Sequence, residues 1–83
     1  MDIVRKEIVE GIELKLRTHP DSDGDKWMVT RKGQIVGLIS TITDNRYLLD
    51  LWYSKDGYTL IENFDSLDDA WDKTKEYIAY FRL

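Results

Sequence analysis

The 83-residue chain has no cysteine, a single proline and a single histidine. Without cysteine it has no disulfide, no thiolate metal site and no thiol nucleophile, so packing alone must hold the domain together. Long apolar runs are missing too. No stretch approaches the roughly 18 residues of a membrane span, and the opening MDIVRKEIVEG lacks the apolar centre of a signal peptide. A soluble cytoplasmic protein with no membrane partner is the expectation.

Clustered positive charge is also scarce. The net charge is −4. Residues 1–40 balance seven basic against seven acidic positions, whereas residues 41–83 set five basic against nine acidic ones. Counterion release from nucleic acid needs grouped Lys and Arg, which argues against nucleic acid as the partner. There is no Gly-rich phosphate loop, no nucleophile elbow and no His/Glu set with metal spacing. The expectation is therefore no catalytic residue, no metal and no cofactor: not an enzyme.

Alternation and turn residues are plentiful, by contrast. In GIELKLRTH, Ile12, Leu14 and Leu16 alternate with Glu13, Lys15 and Arg17, the pattern of a half-buried strand. KWMVT and QIVGLISTIT follow, joined through Arg31-Lys32-Gly33, where a glycine suits a hairpin turn. TDNR leads into RYLLDLWYS, and Lys55-Asp56-Gly57 leads into YTLIENF. Short connections imply antiparallel neighbours, giving a meander of four or five strands. The segment DIVRKEIVE stays open: a bulged extension of the first strand, half of a hairpin turning at Glu10-Gly11, or a short helix.

After residue 64 the period becomes helical, with Leu67, Ala70, Trp71, Thr74, Ile78 and Phe81 on one stripe. Ser66 stands at the N-cap with Asp69 three residues on, and Asp65, Asp68 and Asp69 sit where a helix dipole favours anions. The predicted fold is α+β: a single domain over 1–83, an antiparallel four- to five-stranded meander with one C-terminal helix packed on one face. Leu14, Leu16, Trp27, Val29, Leu49, Leu51, Leu60, Trp71 and Ile78 form the expected core.

Several residues invite a functional reading. Asp21, Asp23 and Asp25 in HPDSDGD have the alternate spacing of a calcium loop, but Gly24 falls between the second and third, so a solvated turn is expected. His19 has no nucleophile motif beside it. The central strands carry apolar residues on both faces, and one helix can cover only one of them. Leu38, Leu48 and Trp52 are expected on the other face, covered either by the N-terminal segment or by another chain, with a homodimer as the simplest case.

The join FDSLDDAW, after a sheet with a tryptophan-led strand, resembles the plan of integrase arm-type DNA-binding domains over about half the chain. That resemblance implies a three-stranded sheet reading DNA with basic and aromatic residues on its exposed face. Here Lys15, Lys26, Arg31 and Arg46 would serve, interrupted by Glu13, Asp50 and Glu62. The expected function is a small acidic non-catalytic protein-interaction domain, a phage-type regulator or inhibitor of a larger enzyme. Its contact residues would be Leu38, Leu48 and Trp52 on the sheet, or Asp65, Asp68, Asp69, Asp72 and Glu76 on the helix, the latter able to imitate phosphates. The alternative is a nucleic-acid-binding module using the exposed sheet face.

Overall fold

A computed structural model describes residues 3–43, 45–52 and 59–81. Six strands precede one helix: β1 Ile3–Val9, β2 Ile12–Thr18, β3 Lys26–Arg31, β4 Gln34–Thr43, β5 Arg46–Trp52, β6 Thr59–Phe64 and α1 Leu67–Phe81. The strands lie in the sheet in chain order, each antiparallel to the next. The fold is α+β with a meander, and it has six strands where the sequence predicted four or five.

The additional strand is β1. Glu10 (φ 51°) and Gly11 (φ 79°) form a two-residue turn with both φ angles positive, as do Lys32 (φ 53°) and Gly33 (φ 80°). Such turns match the right-handed twist of a hairpin. IVRKEIV conceals its strand character because Val4 is a bulge: Ile3 pairs with Arg17 and Arg5 with Leu16, so the apolar alternation slips by one residue. The segment therefore extends the sheet at its edge instead of lying across the outer face. The turn expected at Lys55-Asp56-Gly57 lies outside the described residues, as do Tyr53 and Tyr58.

Two more bulges bend the sheet. Val29 pairs with Gly37 and Thr30 with Ile35, leaving Val36 extra; Thr41 pairs with Tyr47 and Thr43 with Arg46, leaving Ile42 extra. Bulges increase local twist and curvature, and the sheet curls round the helix until both edge strands reach it. Arg5 on β1 meets Asp68 at 2.8 Å and Glu7 meets Lys75 at 2.6 Å. From β6, Glu62 accepts a 2.9 Å hydrogen bond from the Tyr77 hydroxyl.

The helix begins as its sequence predicts, with the Asp69 amide donating to Ser66 Oγ at 3.0 Å. Ala70, Trp71, Thr74 and Ile78 are its buried stripe, and the Thr74 hydroxyl donates back to the Ala70 carbonyl at 2.7 Å. They pack on Leu14, Leu16, Val29, Ile39, Leu49 and Leu51. Trp27 and Leu60, expected as core, are only partly buried at its margin, with Trp27 tilted against Tyr47 at 6.0 Å between ring centroids. Ile39 belongs to the core although the two-faced pattern of β4 did not select it. Strict alternation would put Ile35 with Ile39; the Val36 bulge sends Ile35 to the opposite face, opposite Thr30.

A candidate interaction face on the outer sheet

Register assigns every strand residue to a face. The helix side takes Arg5, Glu7, Leu14, Leu16, Val29, Gly37, Ile39, Leu49, Leu51 and Glu62, since these are mutual partners or stand at even spacing from them. The outer side takes the residues between. One row crosses it from β2 to β6: Arg17, Met28, Leu38, Asp50, Ile61. One step along, Lys15, Thr30 and Ile35 continue on β2 to β4, with Trp52 on β5. One step the other way, Lys26, Ser40, Leu48 and Asn63 are registered in turn.

Leu38, Leu48 and Trp52 thus lie on the face away from the helix. Leu38 and Leu48 are half-buried by their neighbours, whereas Trp52 is 41% exposed, Ile35 44% and Ile61 63%. Ile61 was missed in the sequence because TLIENF gives its apolar pattern to Leu60 and Phe64, and the residues that share Ile61's face of the strand, Thr59 and Asn63, are polar. The outer face thus exposes three large apolar side chains, Trp52, Ile35 and Ile61, on adjacent strands.

The face divides by charge. Its β1–β3 half holds Lys6, Lys15, Arg17 and Lys26; its β4–β6 half holds Ile35, Leu38, Leu48, Trp52 and Ile61, with Asp50, Arg46 and the neutral Ser40 and Asn63 among them. Glu13 sits between two of the cations, 3.4 Å from Lys6 and 3.2 Å from Lys15. The bond from Lys15 is the largest cause holding the Glu13 carboxyl below its ordinary range; desolvation opposes it, and the bond from Lys6 adds to the lowering. Asp50 Oδ1 and Arg17 Nε are buried without a hydrogen-bond partner among the described residues. Arg31 Nε shares that state but belongs to the helix side, opposite Leu14.

The acidic helix residues are placed differently. Asp68 pairs with Arg5, Asp72 with Lys75 at 3.3 Å, Glu76 with Lys73 at 3.4 Å, and Asp65 with Arg46 at 3.6 Å. Asp69 is exposed in the first turn, and its amide donates to the capping Ser66 hydroxyl. Four of these five carboxylates therefore face a cation of their own chain.

Lys75 joins the helix to the first strand, and its bond to Glu7 raises its pKa, helped by Asp72. The bond to Glu62 likewise raises the pKa of the Tyr77 hydroxyl. Both groups favour their protonated forms on folding. Their contribution is complete below the unfolded values, about 10 for both types, and is lost as pH rises through the folded ones. Base-induced unfolding is therefore expected to begin above about pH 10. Tyr77→Phe should flatten that decline in thermal melts recorded across pH. An unchanged slope would show that the Tyr77–Glu62 bond does not govern it.

The HPDSDGD loop is closed on itself. The His19 amide donates to the Lys26 carbonyl at 3.0 Å, Ser22 Oγ donates to the His19 carbonyl at 3.0 Å, and His19 Nδ1 accepts from the Asp21 amide at 3.0 Å. His19 serves the turn, as an Asx- or Ser-type side chain would. Among the described residues, no three His, Asp or Glu side chains are grouped so as to hold a metal ion. No helix among them is long and apolar enough to cross a membrane.

No protein-family model, curated protein or solved structure matches the chain. What its residues do in this arrangement is the whole basis for a functional reading.

Proposed function

We propose that this chain is a small non-catalytic protein-interaction domain, of the kind that regulates or inhibits a larger protein, and that it works through the outer face of its sheet. The observation that carries this reading is the exposure of Trp52, Ile35 and Ile61 on a face that neither the helix nor β1 covers. Trp is among the residues enriched in interface hot spots, and pairing of β5 with β4 and β6 gives Trp52 a firm support. The helix carboxylates rank second because most are engaged within the chain, whereas a phosphate mimic needs them free for its partner. The outer face also suits a protein better than a nucleic acid, since Glu13 is paired with Lys6 and Lys15 and Asp50 stands among the apolar residues.

Tagged wild-type and Trp52→Glu chains, used as baits in native lysate with and without nuclease, test the reading. Wild type should hold a protein, foreign or a second copy of itself, after nuclease treatment. Folded Trp52→Glu should hold at least about tenfold less, the loss of a modest hot spot. Retention of nucleic acid alone, or equal capture by both baits, would overturn it.

A further inference from the structure

Resting on the outer face as an interaction surface, we infer that its occupant is a second copy of this chain, related by a two-fold axis running along the strands between β3 and β4. The order of residues across the face carries the inference. In the row Arg17, Met28, Leu38, Asp50, a two-fold rotation about the middle lays β2 over β5 of the partner and β3 over β4. Arg17 then faces Asp50 of the other copy, twice, on either side of Met28, already buried within its own chain, and the half-buried Leu38.

An isologous contact requires this reciprocity: whatever one position meets, it must also present. The row has a cation and an anion at equal strand distances on either side of an apolar pair. These are also the two outer-face residues whose buried side-chain atoms lack a partner within the described chain. Opposite charges brought together at a desolvated contact make strong, orienting hydrogen bonds.

The neighbouring row agrees with the same axis. Lys15 lies two residues from Arg17 on β2, and Trp52 lies two residues from Asp50 on β5, in the same direction along the sheet. The rotation that pairs Arg17 with Asp50 also sets the Lys15 ammonium over the Trp52 indole, a cation–π arrangement. Sheets packed face to face cross at about 30°, a turn small enough to keep such pairs in register near the axis. Size is adequate as well: the molecule spans 31 × 24 Å in its two larger directions, a face comparable with the roughly 800 Å² per copy of a standard interface.

Analytical ultracentrifugation of wild type, Arg17→Asp and Asp50→Arg decides the matter. Wild type should sediment as a dimer. Each variant should be a folded monomer, its association weakened at least about 100-fold by two like-charge contacts. Mixing the two variants should restore a dimer, because Asp at 17 then meets Arg at 50 and the native Arg17 meets the native Asp50. A dimer unmoved by either variant, or variants that do not recombine, would overturn this geometry. A wild-type monomer at about 100 μM, far above the Kd of a stable interface, would overturn the second copy altogether. If that monomer still captured a foreign protein through Trp52, the interaction reading would stand alone.

Should a charge variant fail to fold by circular dichroism, hydroxyl-radical footprinting of wild type replaces it. Trp52 should then lose reactivity as concentration rises, while the exposed Tyr80 on the helix does not. Constant reactivity at Trp52 would count against the dimer.

Discussion

Trp71→Ala is expected to destabilise the protein by about 3–5 kcal/mol, the range for emptying a buried large aromatic site. Trp71 is almost fully enclosed, at the centre of the helix stripe, between the capped first turn and Ile78. Its ring packs into the cluster built by β2 to β5, and Lys75 Nζ lies 6.0 Å from its centroid. That residue also reaches Glu7, so the indole supports the contact between helix and first strand. A small domain has a total stability of about 5–15 kcal/mol, so this substitution alone removes a large fraction of it. Urea melts give the value directly. A loss below about 1 kcal/mol, the level of an exposed site, would show that the helix does not rest on the sheet through this ring.

Gly37→Ala is expected to cost about 1–3 kcal/mol, the range for overpacking. Gly37 is buried on the helix side of β4, between Val29 and Leu51. A Cβ there would stand 2.8 Å from the Asp50 carbonyl oxygen and 3.1 Å from Leu51 Cδ1. The carbonyl belongs to the ladder and cannot turn aside as a side chain can, so β4 and β5 must separate. Because Asp50 is on the strand that moves, the same substitution should also weaken any association through the outer face. Thermal melts and sedimentation of Gly37→Ala check both effects. A variant as stable as wild type would mean that the strands approach less closely than 2.8 Å implies.

Much of this architecture is visible in the residues themselves. Leu14, Leu16, Leu49 and Leu51 stand at strict alternation, and Ala70, Trp71, Thr74 and Ile78 at helical spacing, so periodicity alone places them inward. The cap at Ser66 and the turn at Lys32-Gly33 are equally local in cause. What escaped were consequences of bulges. Val4, Val36 and Ile42 each insert one residue, and a one-residue slip exchanges the two faces of a strand. Hence β1 had no recognisable period and Ile35 fell on the wrong side. The face holding Leu38, Leu48 and Trp52 could be set apart in advance, because β5 has no bulge between Tyr47 and Trp52. The opposition of Arg17 and Asp50 could not, since it depends on how β2, β3, β4 and β5 are registered together.

The sequential order of the strands also bears on how the chain folds. Each of the six strands finds its neighbour across the next turn, so only short loops must close and little entropy opposes each step. A hairpin can zip from Glu10-Gly11 and another from Lys32-Gly33 without waiting for distant segments. The exceptions are contacts of the helix with the early strands, such as Glu7 with Lys75 and the bond between Arg5 and Asp68, separated by 63 residues. That bond forms only after the sheet has curled and the helix has settled into it, late in folding. The two ends of the described chain are thus clasped last, and in unfolding the helix and first strand would be the first to part.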